Sequence, residues 1–232
     1  MNLAVSLISI MRVFENKNSW VIDDYLDSNL VQEIKTIIQE NLSNLYKNKE
    51  GYSTTGKNAE QYWLIHQKDN FYVNDLRFYD FEKEYKNQVL NRIKAADLFD
   101  EKKKEDIDLN HINAWSVIGE ENSYHTMHCH NEGSFGGGIS TLVYLEVPET
   151  NIQDEPENNL FLATYVGPKN PYYYENTPTL NINPEVGKLL IFPDWVLHGT
   201  YPQTKGIRQT FNIDYRIVPA NKKDKSKNFS YN

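Results

Sequence analysis

Ile207-Arg208-Gln209-Thr210-Phe211-Asn212-Ile213-Asp214-Tyr215-Arg216-Ile217-Val218 is the stretch on which the reading turns. Its odd positions are mostly apolar and its even positions polar or charged, the period of two expected of a β-strand. A polar face this long is costly in a dry core, so it must meet either water or a wet cavity at the mouth of a barrel. Arg208 and Thr210 share that face and present a guanidinium fork and a hydroxyl in one direction. Such a pair is suited to grip a carboxylate through two points.

Upstream of this strand the texture is similar. Ile112 to Ile118, Ile139 to Val147, Leu160 to Val166 and Lys188 to Phe192 are short β-rich runs separated by Gly, Pro and Asn, which indicates a sandwich or barrel and not a βαβ fold. Before Leu109 the pattern is helical. Asp27-Ser28-Asn29 offers N-caps to a stripe of Leu30, Ile34, Ile37, Ile38, Leu42 and Leu45, and a second stripe of Phe78, Phe81, Tyr85, Val89, Leu90 and Ile93 spans about Leu76 to Ala96.

At 232 residues the chain suits one core, with a single domain over 1–219, a helical part at about 20–100, a barrel at about 109–219, and a disordered Lys-rich tail at 220–232. Asn48 to Lys57 and the acidic Glu149 to Asn158 read as loops. Gly167 to Gly187, with four of the nine prolines, is long enough for a lid. Met1 to Ile10 is apolar but too short to span a bilayer, and lacks the flanks of a signal peptide; it reads as a strand or as leader ahead of Met11.

A formal charge of -8 and no basic stripe interleaved with aromatics argue against a nucleic-acid partner. The single cysteine, Cys129, excludes an intrachain disulfide and suits a cytoplasmic location. No membrane partner is expected, and the sequence says nothing of oligomeric state.

Chemistry concentrates in the histidines. His125, His128 and His130 lie within six residues, ahead of a β-run. If Thr126 to Asn131 is extended, His128 and His130 point to one face as a metal clamp, and Cys129 points away. His198, beyond the strand Lys188 to Phe192 and the turn Pro193-Asp194-Trp195, is the candidate third ligand. Imidazole accepts Fe, Zn, Cu and Ni alike, so these residues alone do not choose the metal.

The elements together resemble the 2-oxoglutarate- and Fe(II)-dependent oxygenase superfamily, in particular the oxygenases of bacteria and phages. The resemblance rests on His128-Cys129-His130-Asn131, on Ser140 with Tyr144-Leu145 and Pro148, on Gly187 to Phe192-Pro193 and His198, and on Arg208-Gln209-Thr210. It runs from about His111 to Pro219, and Trp20 to Leu26 adds a similar N-terminal opening.

What it implies is a mainly β protein with N-terminal helices, a double-stranded β-helix or cupin-type jelly roll. Fe(II) would be held by His128, His130 and His198, and 2-oxoglutarate would bind that iron, its far carboxylate gripped by Arg208 and Thr210, with Tyr144 as a further candidate. With O2, such an enzyme oxidises a small-molecule substrate, most often by hydroxylation, releasing succinate and CO2. Most of the superfamily has Asp or Glu where this chain has His130; a register with Glu132 as carboxylate ligand, paired with His130, is the alternative. Asn113, Trp115, His125 and Trp195 are candidates for the substrate pocket, and Asn212, Asp214 and Arg216 add polarity along the last strand. His66 and His111 stand outside any metal spacing.

Two other functions fit parts of the pattern. A three-histidine cupin dioxygenase that binds substrate directly to iron has the same ligands but no use for Arg208. A non-catalytic jelly roll would keep the histidines as surface or zinc-staple residues.

Overall fold

The computed structural model describes residues 11–16, 19–47, 58–98, 107–130, 138–148, 160–163, 179–203 and 205–220. In chain order the elements are β1 (Arg12–Asn16), β2 (Ser19–Tyr25), α1 (Ser28–Asn41), β3 (Tyr46–Lys47), β4 (Ala59–His66), β5 (Phe71–Tyr72) and α2 (Leu76–Ala95). They continue with β6 (Ile107–Gly119), β7 (His125–His128), β8 (Gly138–Glu146), β9 (Leu160–Ala163), β10 (Thr179–Ile182), β11 (Lys188–Pro193), β12 (Leu197–Thr200) and β13 (Arg208–Pro219).

Among the described residues the strands form two antiparallel sheets. The large sheet has the order β1-β2-β11-β8-β13-β6-β4-β3, with β5 added beside β4, and the small one runs β10-β9-β12-β7. Each main strand pairs with neighbours distant in sequence, as a jelly roll requires. β13 lies between β6 and β8, setting Asp214 opposite Ser140 and Asn212 opposite Leu142.

The helices cover one face of the large sheet. Asp27 caps α1 by accepting from Asn29 N at 2.8 Å, and Asp75 caps α2 by accepting from Arg77 N at 3.0 Å, each satisfying an amide that the first turn leaves without a partner. Leu30, Ile34, Ile37 and Ile38 of α1 and Phe78, Phe81, Tyr85, Val89 and Ile93 of α2 are buried against the sheet. Phe211 of β13 meets Phe78, Phe81 and Tyr85 edge-on, with ring centroids 5.5–6.4 Å apart. A smaller cluster between the sheets contains Leu142, Tyr144, Leu190 and Phe192.

With both faces covered, β8, β11 and the first eight residues of β13 are almost continuously buried. The two sides of β13 nevertheless differ as its alternation predicts. Phe211, Ile213 and Tyr215 enter the core beneath the helices, and Arg208, Thr210 and Asn212 line a cavity on the other side. Gly187 fastens this arrangement at φ +84°, where a side chain would be strained. Its N–H donates to Tyr144 O at 2.8 Å, and its carbonyl accepts from Leu26 N at 2.9 Å.

Several expectations are corrected. The N-terminal part is not simply helical: β1 to β5 all fall before residue 73, and β4 extends the large sheet beside β6. Residues 179–182, expected within a loop or lid, form β10 paired with β9. The strand anticipated at Leu160 to Val166 is described only as Leu160–Ala163. Met1 to Ile10, the loop at 48–57, the acidic loop, Glu132, most of the lid candidate and the tail beyond 220 lie outside the described residues.

Candidate metal centre and cavity

Three imidazoles converge where the small sheet faces β13. One ligand atom from each of His128, His130 and His198 lies within 4.8 Å of the others. The routes by which they arrive differ. His128 and His198 are direct cross-strand partners on β7 and β12, with rings 4.4 Å apart. His130 is not on the same strand as His128, contrary to the expected alternation, because β7 ends at His128. A bend carries it inward instead, anchored by its N–H donating to Asp194 O at 2.9 Å. Its ring then stands 5.2 Å from His128 and 4.8 Å from His198. Cys129, between the two, is exposed.

The hydrogen bonds behind the rings fix their tautomers. His128 Nδ1 is 2.8 Å from Thr126 O, and His198 Nδ1 is 2.9 Å from Val196 O. A carbonyl only accepts, so both Nδ1 atoms carry the proton and both Nε2 atoms keep a lone pair. His130 Nδ1 is 2.9 Å from Asp214 Oδ1 and 2.8 Å from Ser140 Oγ, and Ser140 Oγ–H donates to the same carboxylate oxygen at 2.7 Å.

Burial keeps the cluster largely uncharged. Desolvation, followed by the repulsion of His130, pulls His128 down to about 4, and His198 lies well below the ordinary range for the same first reason. His125 falls to about 3, again chiefly by burial, with His128 and Arg208 adding to it. His130 is the exception: burial opposes its charge, but Asp214, by charge and hydrogen bond, and then Asp194 raise it overall. Neutral imidazoles are the form that binds metal.

Beside the histidines is a cavity walled by Trp115, Val117, Leu142 and Ala59, with Ser123, His125, Tyr144, Thr200, Arg208, Thr210 and Asn212 as its polar groups. Arg208 is 6% exposed and has no carboxylate partner among the described residues. Its Nη2 donates to Thr200 Oγ1 at 2.9 Å, but its Nη1 is buried with no partner among the described residues, as are Tyr144 OH and His125 Nε2. Burial lowers the affinity of Arg208 for its proton, with Tyr144 acting in the opposite sense. A guanidinium nonetheless stays charged in proteins. Thr210 Oγ1 accepts from Asn212 Nδ2 at 3.2 Å. A buried cation and polar atoms unpartnered among the described residues, around one space, are groups to which an anion could bind.

Of the pocket candidates, Trp115 and His125 line this cavity, whereas Asn113 and Trp195 are not among the described residues that do. Asn113 Oδ1 is taken by Gln67 N at 3.1 Å, which ties β6 to the turn after β4. Arg216 is exposed and plays no part in the cavity. His66 sits 3.0 Å from Asp69 and His111 3.5 Å from Glu82, away from the cluster. Thr200 was missed: its hydroxyl accepts both Arg208 Nη2 and, at 2.8 Å, His125 N. Only its place opposite His125 on β7 could have revealed it.

Residues 113–214 match the family described as "Putative 2OG-Fe(II) oxygenase". No curated protein matches the chain in sequence. Among solved structures, the fold is similar to a Pseudomonas putida prolyl-4-hydroxylase, at 11% identity and a TM-score of 0.56, covering 84% of this chain and 91% of that one. An oxidoreductase of the 2OG-Fe(II) oxygenase family from Burkholderia pseudomallei is similar at 8% identity and a TM-score of 0.58, covering 86% and 84%. The non-heme alpha ketoglutarate dependent epimerase SnoN from nogalamycin biosynthesis is similar at 13% identity and a TM-score of 0.55, covering 84% and 76%. These likenesses concern the jelly-roll fold.

Proposed function

We propose, from the match of residues 113–214 to the 2OG-Fe(II) oxygenases, that this chain is a 2-oxoglutarate-dependent dioxygenase which hydroxylates a small-molecule substrate. The observation that carries the reading is the buried Arg208, whose Nη1 meets no acceptor, beside three histidines with fixed tautomers.

His128, His130 and His198 would hold Fe(II), each through the ring nitrogen left free by the bond behind it. Arg208 would grip the far carboxylate of 2-oxoglutarate, with Thr210 and Tyr144 OH within the same cavity wall. When bound, iron and 2-oxoglutarate supply the activation of O2, with release of succinate and CO2. The protein's own part is to fix the co-substrate by charge, to hold His128 and His198 unprotonated by burial, and to exclude water from the cavity. The apolar walls of Trp115, Val117 and Leu142 suit the carbon skeleton of a small substrate, and Asn212 and Ser123 offer it hydrogen bonds.

A three-histidine dioxygenase without 2-oxoglutarate shares the ligands but leaves the buried Arg208 with no purpose. The test is to supply Fe(II)-loaded protein with O2, 2-oxoglutarate and panels of small molecules and peptides while recording succinate. Succinate formed in step with one small molecule supports the reading. Succinate formed only with a peptide moves the substrate class, and O2 uptake without succinate overturns the 2-oxoglutarate dependence.

A further inference from the structure

The three imidazoles are not supported alike. His128 and His198 lean on backbone carbonyls, which any sequence supplies, whereas His130 leans on a side chain, Asp214, reached from a strand 84 positions further along the chain. Among the described residues Asp214 is the one carboxylate hydrogen-bonded to any of the three rings.

The strand pairing makes this contact specific. Asp214 and Ser140 are direct partners across β13 and β8, so the hydroxyl and the carboxylate enter the site side by side. Ser140 Oγ–H donates to Asp214 Oδ1 at 2.7 Å, which orients the carboxylate, and the same Oδ1 faces His130 Nδ1 at 2.9 Å. Asp214 is buried, at 8% exposure, and makes no ion pair with Lys or Arg among the described residues. A buried carboxylate of this kind is destabilising unless its bonds are well satisfied, and here they are supplied by His130 and Ser140. At the other end, Gly138 leaves room for Asp194: a Cβ there would stand 2.1 Å from Asp194 Oδ2. Asp194 in turn holds the His130 backbone through its carbonyl.

The geometry points to Asp214 as the positioning residue of the metal centre. Resting on the proposed metal set, this assigns Asp214, oriented by Ser140, to hold His130 as the Nδ1–H tautomer with Nε2 free for the metal. It also sets a carboxylate behind a centre whose candidate ligands are all imidazoles. A carboxylate behind a histidine raises the ring's basicity as a ligand, and loss of such a partner typically weakens metal binding about 10- to 100-fold. Asp214 touches neither metal nor substrate in this role; it acts through His130.

The experiment compares the wild-type chain with Asp214→Asn in two measurements. Co(II) affinity is read anaerobically by titration, and the His130 tautomer is read in metal-free protein by 15N NMR of labelled histidine. The expected result is a Co(II) affinity lower by about 10- to 100-fold, together with loss of the pure Nδ1–H form at His130, since the amide can donate as well as accept. Unchanged affinity overturns the assignment. So does weaker affinity with the tautomer retained, which would make Asp214 a packing residue only. If Asp214→Asn does not fold, Ser140→Ala carries the test, with the same tautomer mixing and a smaller affinity loss expected, and no change in either overturning it. Failure of the wild type to bind Co(II) would instead strike the proposed metal centre itself.

Discussion

Arg208 Nη2 donates to Thr200 Oγ1 at 2.9 Å, while Nη1 of the same guanidinium is buried with no partner. Half of the fork is thus fixed in place, and the other half has no partner among the described residues, in a side chain that lines the cavity with Tyr144 and Thr210. On the proposed role, replacing Arg208 by Ala would remove charged hydrogen bonds to the co-substrate worth roughly 1.5–3 kcal/mol. Titration of 2-oxoglutarate into Mn(II)-loaded protein is expected to show affinity lower by about 10- to 100-fold. Arg208→Lys recovers only part of it, because an ammonium has no planar fork. Equal affinity in wild type and Arg208→Ala would remove the clamp.

His198→Ala and His128→Ala each delete one member of the converging trio and are expected to abolish stoichiometric metal binding, measured by elemental analysis after Fe(II) loading and desalting. Cys129→Ser serves as the control. Cys129 lies between two of the histidines in sequence but is exposed, so its metal content should equal that of the wild type.

Acid should weaken the metal-free fold in a defined window. His125 and His128 are lowered by burial to about 3 and about 4, against an ordinary value near 6.5 in the unfolded chain. Between these limits the unfolded state binds more protons than the folded one, so stability falls as pH falls. Thermal melts of metal-free protein should therefore decline from about pH 6.5 toward pH 4. His125→Gln should make that decline shallower, and a melt rising over this window would contradict the burial of neutral imidazoles.

Phe211 is fully buried among Phe78, Phe81 and Tyr85 on the helix side of β13. Phe211→Ala leaves a cavity there and is expected to cost about 3–5 kcal/mol of stability. Arg208→Ala, three residues away on the other face, should cost far less. Denaturant unfolding of the two variants distinguishes the sides of one strand.

The alternation at 207–218 was legible because a period of two is a local property, and it separated helix-facing from cavity-facing residues before any pairing was known. The His128, His130 and His198 spacing was legible for a different reason: few structures bring so many imidazoles together by chance. The way they meet was not. His130 leaves the strand, and its position depends on its N–H donating to Asp194 O, which sequence spacing does not encode. Asp214 reads locally as one more polar residue, and its link to His130 appears only once β13 is in register with β8. β4 was missed because Ala59-Glu60-Gln61 begins it without an apolar alternation, although Leu64 and Ile65 are buried in the core and the strand pairs with β6. Propensity gave way there to pairing in the sheet.

The most direct test of the account is the visible spectrum of the protein mixed anaerobically with Fe(II) and 2-oxoglutarate, with Arg208→Ala measured alongside. A weak charge-transfer band that needs both components, and that requires more 2-oxoglutarate in the variant, is the predicted result. Iron bound in full, by analysis of the same sample, with no such band at saturating 2-oxoglutarate would contradict it.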